Sequence, residues 1–206
     1  VAQKGCIWLK LSVSGKTSHG AEPWQGINAL EQGFGLLADL REELMREEHP
    51  VLGRSTLQIT MAEGGIAPNM TPDRAQFLAD IRIVPPLNEK EVLNRLKCLI
   101  EKRCDVYNGG LSFAPEISNY RMPVETGPKN QWLHRLKGFI GDDAGETGIN
   151  YFTDASIFLT AWPDSPALLF GPGEPQMCHK PNEYVEISKY FEAIRVMEKF
   201  CWYIAK

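Results

Sequence analysis

The sequence of 206 residues lacks the features that mark several large classes of protein. It has no apolar run near the ~20 residues that a membrane-spanning helix needs, and nothing at its start resembles a signal peptide. Its five cysteines form no Cys-x-x-Cys pair, and their odd number argues against a disulfide framework. Lysine and arginine do not cluster and the net charge is −4, so we expect no surface for nucleic acid or acidic lipid. These absences predict a cytoplasmic protein that binds small molecules or other proteins.

Two catalytic motifs are present only in part. The sequence Gly-Lys-Thr-Ser from Gly15 matches the end of a nucleotide-binding P-loop, but the glycine required five positions earlier is replaced by Lys10. Asp154 and Ser156 in the segment FTDAS could belong to a serine hydrolase, but no Gly-x-Ser-x-Gly segment surrounds the serine. We therefore expect neither phosphate binding at the first segment nor a serine nucleophile at the second.

Residues 1–119 predict the element order β-α-β-β-α-β. Three segments alternate apolar and polar residues, which is the two-residue period of strands with one buried face. The predicted elements are a strand at 5–13, a helix from 27 to about 49, strands at 57–61 and 77–83, a helix opened by a capping box of Asn88 and Glu91, and a short strand around Leu111 and Phe113. This order is that of a ferredoxin-like sandwich, in which two helices cover one face of a four-stranded antiparallel sheet.

Residues 120–206 show a different pattern. Apolar runs at 149–152 and 167–170 predict strands covered on both faces, and a helix is predicted at about 129–139. A closing helix carries one apolar stripe, made of Phe191, Ile194, Met197, Cys201 and Ile204. Two or three strands cannot form an α/β sheet of this kind alone. We therefore expect these residues to belong to a larger α/β domain, and a chain that starts with valine close to a strand suggests a fragment of a longer protein.

Four histidines are candidates for a functional role. His49 precedes a proline at a helix end and His134 lies on a predicted helix face, so both are expected to be structural or solvated. His19 follows a glycine-containing turn at a strand end. His179 follows an apolar strand and a Gly-Pro-Gly turn, which is where α/β sheets place ligands. For either of these two alone, a locally hydrogen-bonded loop histidine explains the position as well as a functional one.

The strand at 77–83 presents a charged pair on its polar face. Asp80 and Arg82 are two residues apart, so the pleat directs both side chains away from the predicted core. A guanidinium group is a planar fork that suits a carboxylate ligand. The alternative is an ion pair between Asp80 and Arg82 at a solvated surface, usually worth less than ~1 kcal/mol. The spacing alone favours the ion pair.

Four segments occur in an order that is typical of one known family. They are GKTSHGAEPWQGINAL, GGIAPNMTPDRAQFLADIRIVP, FTDAS and GPGEPQMCHKPNEYVEI. Together they resemble the metallopeptidase family of acetylornithine deacetylase, succinyl-diaminopimelate desuccinylase, aminoacylase and the glutamate-releasing carboxypeptidases. The resemblance implies an α/β fold in which a ferredoxin-like lid, which also forms a homodimer, is inserted into a zinc-binding catalytic domain. On this basis residues 1–119 are the lid and residues 120–206 are the C-terminal part of the catalytic domain.

The resemblance also implies roles for three residues of the lid. His19 corresponds to a histidine that reaches into the active site of the partner subunit and stabilises the tetrahedral oxyanion. Asn69 and Arg82 correspond to residues that bind the carboxylate of the substrate. On this interpretation the first turn presents a histidine, and its Gly-Lys-Thr sequence is scaffold.

The remaining implied roles concern the catalytic domain and its metal ions. His179 corresponds to a terminal ligand of one zinc, and Gly171 and Gly173 let the backbone approach the substrate closely. The family uses two divalent ions, expected to be zinc with cobalt or manganese as alternatives, and cleaves an amide bond with a metal-bound hydroxide. One histidine cannot hold two ions, because a catalytic zinc needs about three protein ligands. The resemblance therefore implies that the N-terminal half of the catalytic domain, with the other ligands and the general base, is missing from these residues.

Two functional hypotheses follow. The first is a fragment of a metal-dependent amidohydrolase that acts on an N-acyl amino acid or small peptide and is inactive alone. The second is a non-catalytic dimerisation or carboxylate-binding module derived from the same family.

Overall fold

Nine strands and five α-helices make up the part of the chain that the computed structural model describes, which is residues 1–141, 145, 147–178 and 180–205. In chain order they are β1 (Ala2–Gln3), β2 (Gly5–Ser14), α1 (Ala29–Leu44), β3 (Glu48–His49), β4 (Gly53–Arg54), β5 (Thr56–Gly64), β6 (Arg74–Ile83), α2 (Glu89–Asp105), β7 (Ser112–Arg121), β8 (Val124–Glu125), α3 (Gln131–Ile140), β9 (Gly148–Ile149), α4 (Ala155–Ala161) and α5 (Ile187–Ile204). None of the helices in these described ranges is long and apolar enough to cross a membrane.

The predicted ferredoxin-like sandwich is confirmed. Four strands pair antiparallel in the order β5-β6-β2-β7, and helices α1 and α2 contact the sheet. The alternating apolar residues form the core together with both helices, and on the two central strands they are Ile7, Leu9, Leu11, Val13, Phe77, Ala79, Ile81 and Ile83. We call the opposite surface of the sheet, which no helix covers among the described residues, the open face. The charged residues of the central strands therefore lie on the open face, as the alternation predicts.

Local sequence signals set the ends of both lid helices. Asn28 accepts hydrogen bonds from the amides of the first turn of α1. Asn88 and Glu91 form the predicted capping box at the start of α2. Gly33 then lets α1 lie close to the sheet, since a Cβ at this position would come within 2.0 Å of the Phe77 ring.

Two strands of the sheet differ from their predicted extent. A β-bulge between Ile59 and Met61 in β5 shifts the alternation, so Met61 is 63% exposed, whereas Ile59 is partly buried against the core. Strand β7 is ten residues long and continues to Arg121, whereas the apolar pattern predicts only a short strand around Leu111 and Phe113. The division of the chain near residue 119 stays a prediction.

A second, smaller sheet connects the start of the chain to its second half. Strand β1 pairs antiparallel with β8 and parallel with β9, which gives the order β8-β1-β9. Of the run predicted as a strand at 149–152, only Ile149 is paired, and residues 167–170 form no strand. The backbone of Ala167 bonds to the Thr126 hydroxyl and not to a strand, through N–H···Oγ1 at 3.1 Å and Oγ1–H···O at 2.6 Å.

Helix α5 carries the predicted apolar stripe, but the described part of the chain does not cover it. The residues that α5 buries are Ala193 and Val196, neither of which belongs to the stripe. Every residue of the stripe is exposed: Phe191, Ile194, Met197, Cys201 and Ile204. The period of the stripe is therefore confirmed, whereas the cover that such a stripe requires must come from elsewhere.

Candidate active site

Two loops at one end of the lid sheet bring His19 and Asn69 together. The amide of Gly20 donates to the carbonyl oxygen of Asn69 at 2.8 Å, and the amide of Thr71 donates to the carbonyl oxygen of Ser18 at 2.9 Å. The hydroxyls of Ser18 and Thr71 are also hydrogen-bonded at 2.7 Å. The loop after β2 and the loop before β6 are thus tied to each other on both sides of His19, and the side chains of His19 and Asn69 are both exposed.

The His19 ring is oriented by its own loop. Its Nδ1 accepts the amide hydrogen of Ala21 at 3.1 Å, so Nδ1 carries no proton and the neutral imidazole holds its proton on Nε2. The ring therefore presents an N–H donor away from the loop, which suits the stabilisation of an oxyanion. Gly15 makes the turn itself possible, because a Cβ there would lie 2.2 Å from the carbonyl oxygen of Ile27.

Arg82 is held in the predicted ion pair. Its Nε and Nη2 donate to the two carboxylate oxygens of Asp80 at 2.5 and 2.8 Å, and the indole N–H of Trp8 donates to the same carboxylate at 3.1 Å. Hydrogen bonding to Asp80 raises the pKa of the Arg82 guanidinium. The Arg82 side chain keeps 26% of its surface exposed, and both hydrogens of Nη1 point away from this pair. The ion pair therefore orients Arg82 and leaves one edge of its fork for a ligand.

A second arginine lies on the open face beside Arg82. Cys6 of β2 is directly opposite Arg82 of β6 on one side and Arg121 of β7 on the other. The ring of Phe152, from the second half of the chain, lies 5.7 Å from the Arg82 guanidinium carbon and 5.8 Å from that of Arg121. We call Arg82, Arg121 and Phe152 the arginine cluster. Cys6 beneath it is fully buried, and burial raises the pKa of its thiol although the Arg82 charge acts in the opposite direction.

A buried glutamine fixes the segment that carries Phe152. The Gln3 side chain donates to the Ser156 hydroxyl at 2.7 Å and accepts from the amide and the hydroxyl of Thr153 at 3.1 and 2.6 Å. Ser156 in turn donates to the carbonyl oxygen of Met122 at 2.7 Å. Gln3 and Ser156 are both buried. The position of Phe152 relative to the lid therefore depends on a hydrogen-bonded network, and Ser156 is a structural residue of that network.

A cavity of about 430 Å³ is lined by the two glycines that are expected to approach the substrate. Gly171 and Gly173 line it, and a Cβ at either position would meet no atom of the described chain within 4 Å. The same cavity is lined by Tyr151 and Cys178, whose oxygen and sulfur atoms are 3.6 Å apart, and this contact raises the pKa of Tyr151. The predicted metal ligand His179 lies outside the described residues.

The candidate residues divide between the two ends of the lid sheet. Ser14 pairs with Arg74 at the end that carries the His19 loop, and Gly5 pairs with Ile83 at the other end, next to Arg82. The eight residue steps from Arg74 to Arg82 along β6 correspond to about 27 Å. One chain therefore does not bring His19 or Asn69 to the same small ligand as Arg82, whereas two chains could.

The residues of the described chain do not form a complete metal site. No group of three or more histidine, cysteine, aspartate or glutamate side chains converges within the described ranges. The predicted pair of divalent ions would therefore need ligands from outside these residues, in addition to any contribution of His179.

Comparison with known proteins identifies the family. Residues 1–108 match the model of the M20 peptidase dimerisation domain. The chain belongs to the M20 peptidase family. The M20 family is one of hydrolases, and its metallopeptidases use divalent metal ions. The M20 assignment confirms the predicted resemblance, and residues 1–108 include His19, Asn69 and Arg82 but not Arg121.

Individual relatives agree with this assignment. Acetylornithine deacetylase from Shigella sonnei is 27% identical over 98% of this chain and 54% of its own length. The crystal structure of aminopeptidase PepT from Bacillus cereus superposes with a TM-score of 0.76 at 20% identity, over all of this chain and 53% of that one. An M20 metallo-carboxypeptidase from Sulfolobus solfataricus has a TM-score of 0.65 at 16% identity, over 97% of this chain and 58% of that one. The chain thus spans about half the length of these M20 relatives, and the structural likeness confirms the fold.

No sequence motif identifies three residues of the site region. Arg121 lies beyond the short strand that the apolar pattern predicts, Phe152 precedes the noted Asp154, and Gln3 lies in a two-residue strand. Only Arg121 has a usable signal, because Asn119 and Arg121 alternate at the end of β7. The contacts of Phe152 and Gln3 join distant parts of the chain, and no local period predicts them.

Proposed function

We propose that this chain supplies the lid and the C-terminal part of the catalytic domain of a metal-dependent amidohydrolase that cleaves an N-acyl amino acid or small peptide. The observation that carries the proposal is the geometry of His19, which has Nδ1 engaged, an outward Nε2 donor and Asn69 beside it. A donor of this kind suits the negative charge that develops on the carbonyl oxygen during amide hydrolysis. Arg82 then binds the substrate carboxylate through its free edge.

The metal ions of the proposed enzyme, two zinc ions with cobalt or manganese as alternatives, need a fuller ligand set than the described residues provide. A divalent ion makes water a nucleophile near neutral pH and polarises a carbonyl group. The proposed roles of the residues of this chain are substrate binding, orientation and hydrogen-bond donation. The chain alone is accordingly proposed to be inactive.

The proposed enzyme is a homodimer formed through the lid. Strands β5 and β7 are the two edges of the lid sheet. Pro115 lies within β7 and removes a backbone donor from that edge, whereas β5 contains no proline. We therefore place the dimer contact at β5, where a second copy can extend the sheet. In such a dimer, His19 and Asn69 of one subunit complete the site that holds Arg82 of the other.

The missing half of the catalytic domain is the proposed partner of the uncovered surface of α5. A mostly apolar cavity of about 640 Å³ runs along α5 and is lined by Phe170, Tyr190, Ile194, Met197 and Trp202 among others. Relatives of about twice this length have a further segment that can cover such a surface. The run at 168–170, which forms no strand among the described residues, offers the same segment backbone groups to pair with.

Mixed dimers test the proposed division of the site between subunits. His19→Ala and Arg82→Ala variants of the protein, expressed from its complete reading frame, should each lose hydrolysis of N-acyl amino acids. Mixing the two variants, with subunit exchange, should restore activity to about a quarter of the wild-type rate, because half of the dimers are hybrids and each hybrid has one intact site. Mixing that restores nothing would contradict the arrangement in trans.

The alternative function is a non-catalytic dimerisation or carboxylate-binding module, for which the match of residues 1–108 to the dimerisation-domain model is the supporting observation. It predicts that the purified natural protein dimerises and retains no metal. Metal analysis of that protein, with hydrolysis of N-acyl amino acids before and after metal addition, distinguishes the two functions.

A further inference from the structure

We propose that Arg121 is a second carboxylate-binding residue, so that the open face of the lid selects substrates with two carboxylates. This inference rests on the proposed function, because it extends the carboxylate site assigned to Arg82. It concerns the arginine cluster, in which two guanidinium carbons lie 5.7 and 5.8 Å from the centre of one aromatic ring.

The two arginines differ in how their charges are balanced. Asp80 accepts two hydrogen bonds from Arg82 and neutralises it. None of the ion pairs found among the described residues includes Arg121. Cys6 lies between the two but does not serve as a counterion, since burial raises the pKa of its thiol. The cluster therefore keeps one uncompensated positive charge, and that charge belongs to Arg121.

The hydrogen-bonding state of Arg121 is also incomplete. One of its terminal nitrogens donates to the carbonyl oxygen of Tyr120 at 2.8 Å, and its Nε is buried without a hydrogen-bond partner in the described structure. A buried donor without an acceptor costs about 1–3 kcal/mol, so a native structure is expected to satisfy it with water or a ligand. A carboxylate that reaches the terminal nitrogens of Arg121 supplies the opposite charge that Arg121 lacks.

The position of Arg121 matches a ligand that also contacts Arg82. The two residues lie on strands separated only by β2, so their Cα atoms are about 10 Å apart across the sheet. Contact with the Phe152 ring draws both guanidinium groups toward a common point. A short dicarboxylate can therefore reach both, and joining the two carboxylates makes the second contact intramolecular. A substrate with two carboxylates gains this advantage over a substrate with one.

Binding of simple carboxylates tests the inference without requiring catalysis. Acetate and glutarate are titrated into the purified protein at fixed low ionic strength, because salt screens exposed charges. Binding is followed by NMR, and the Nε–H signals of both arginines are monitored. The wild-type protein should bind glutarate at least about tenfold more tightly than acetate. Arg121→Gln and Arg82→Gln should each reduce glutarate affinity to about that of acetate, because either substitution leaves a single arginine to bind one carboxylate.

The control is Arg135→Gln. Arg135 of α3 also packs on an aromatic ring, with its guanidinium carbon 3.9 Å from the centre of the Tyr203 ring, but lies outside the cluster. This variant should keep both affinities. Arg121→Lys keeps the charge but not the fork, and should retain only part of the preference for glutarate. Thermal unfolding of each variant verifies that the protein still folds.

The possible results separate this inference from the proposed function. Arg121→Gln that keeps the glutarate preference, or that lowers both affinities equally, overturns the inference while the role of Arg82 stands. If Arg82→Gln keeps the glutarate preference, the carboxylate role of Arg82 fails, and the two-arginine contact fails with it. A wild-type protein that binds neither anion overturns both.

Discussion

Replacement of Gln3 by alanine should destabilise the protein strongly, although Gln3 is only the third residue of the sequence. Its side chain is fully buried and makes three hydrogen bonds, one to Ser156 in α4 and two to Thr153 just before α4. Gln3→Ala leaves the Ser156 hydroxyl, which is also buried, without an incoming donor, and removes the acceptor of the Thr153 amide. An unsatisfied buried polar group costs about 1–3 kcal/mol, and the space left by the amide adds to this cost. We expect a loss of about 2–4 kcal/mol in the free energy of unfolding.

The assay is equilibrium unfolding in urea, with the midpoint and the slope fitted for each variant. Gln58→Ala is the matched control, because Gln58 lies exposed on β5 and its removal should change the free energy by no more than about 0.5 kcal/mol. A double-mutant cycle with Ser156→Ala isolates the hydrogen bond between the two side chains, for which we expect a coupling of about 1 kcal/mol. Additive effects of the two substitutions, or a loss below about 1 kcal/mol for Gln3→Ala, would refute the reasoning.

Two further predictions concern packing and pH. Gly33→Ala should destabilise the protein by about 1–2 kcal/mol, because the added Cβ would overlap the buried Phe77 ring and overpacking exceeds the gain in helix propensity. The same change at Gly138 of α3, where a Cβ meets no described atom within 4 Å, should stabilise the protein by up to about 1 kcal/mol. If urea unfolding shows that both substitutions change the free energy of unfolding in the same direction, the packing argument is contradicted. Burial lowers the pKa of Lys4, so the unfolded chain binds more protons than the native protein between the native pKa and the ordinary value of 10.5. The free energy of unfolding should therefore gain a contribution as pH rises through that window, and Lys4→Met should remove it; an identical pH profile for both proteins would exclude this cause.

The lid could be predicted from sequence because its signals are local and repeated. The alternation in β2 and β6 fixes which side chains face the helices, and it places Asp80 and Arg82 on the open face. The capping box of Asn88 and Glu91 likewise fixes the start of α2 within four residues. Each of these features depends on neighbouring residues in the sequence, so it can be predicted without knowledge of the rest of the molecule.

The second half was less predictable because its elements depend on distant partners. The stripe of α5 predicts an apolar face, but periodicity does not say which part of the protein covers it. The run at 167–170 has the composition of a strand, but a strand forms only where another strand supplies backbone partners. Both failures have one physical cause, which is that hydrogen-bonding and packing partners for these segments are lacking among the described residues.

The sequence patterns do not predict the arginine cluster, for a related reason. The bulge opposite Trp8 and Leu9 shifts the alternation of β7, so Asn119 and Arg121 face the open side out of phase with the first part of the strand. A search for alternating apolar and polar residues over the whole strand mixes these two patterns, so the alternation after the bulge is not recognised. The cluster also needs Phe152, which precedes a residue held by the network around Gln3 and comes from a distant part of the chain.

The length of the lid sheet finally constrains how the proposed dimer can work. The paired strands hold His19 and Arg82 at opposite ends of one stiff sheet, so no local loop movement brings them to the same substrate. In the proposed dimer each lid therefore contributes to two sites, one at each end. A variant that folds but stays monomeric would keep Arg82 at its own site and lose the oxyanion donor from it. Under the proposed function, dimerisation is therefore required for the chemistry and is not only a source of stability.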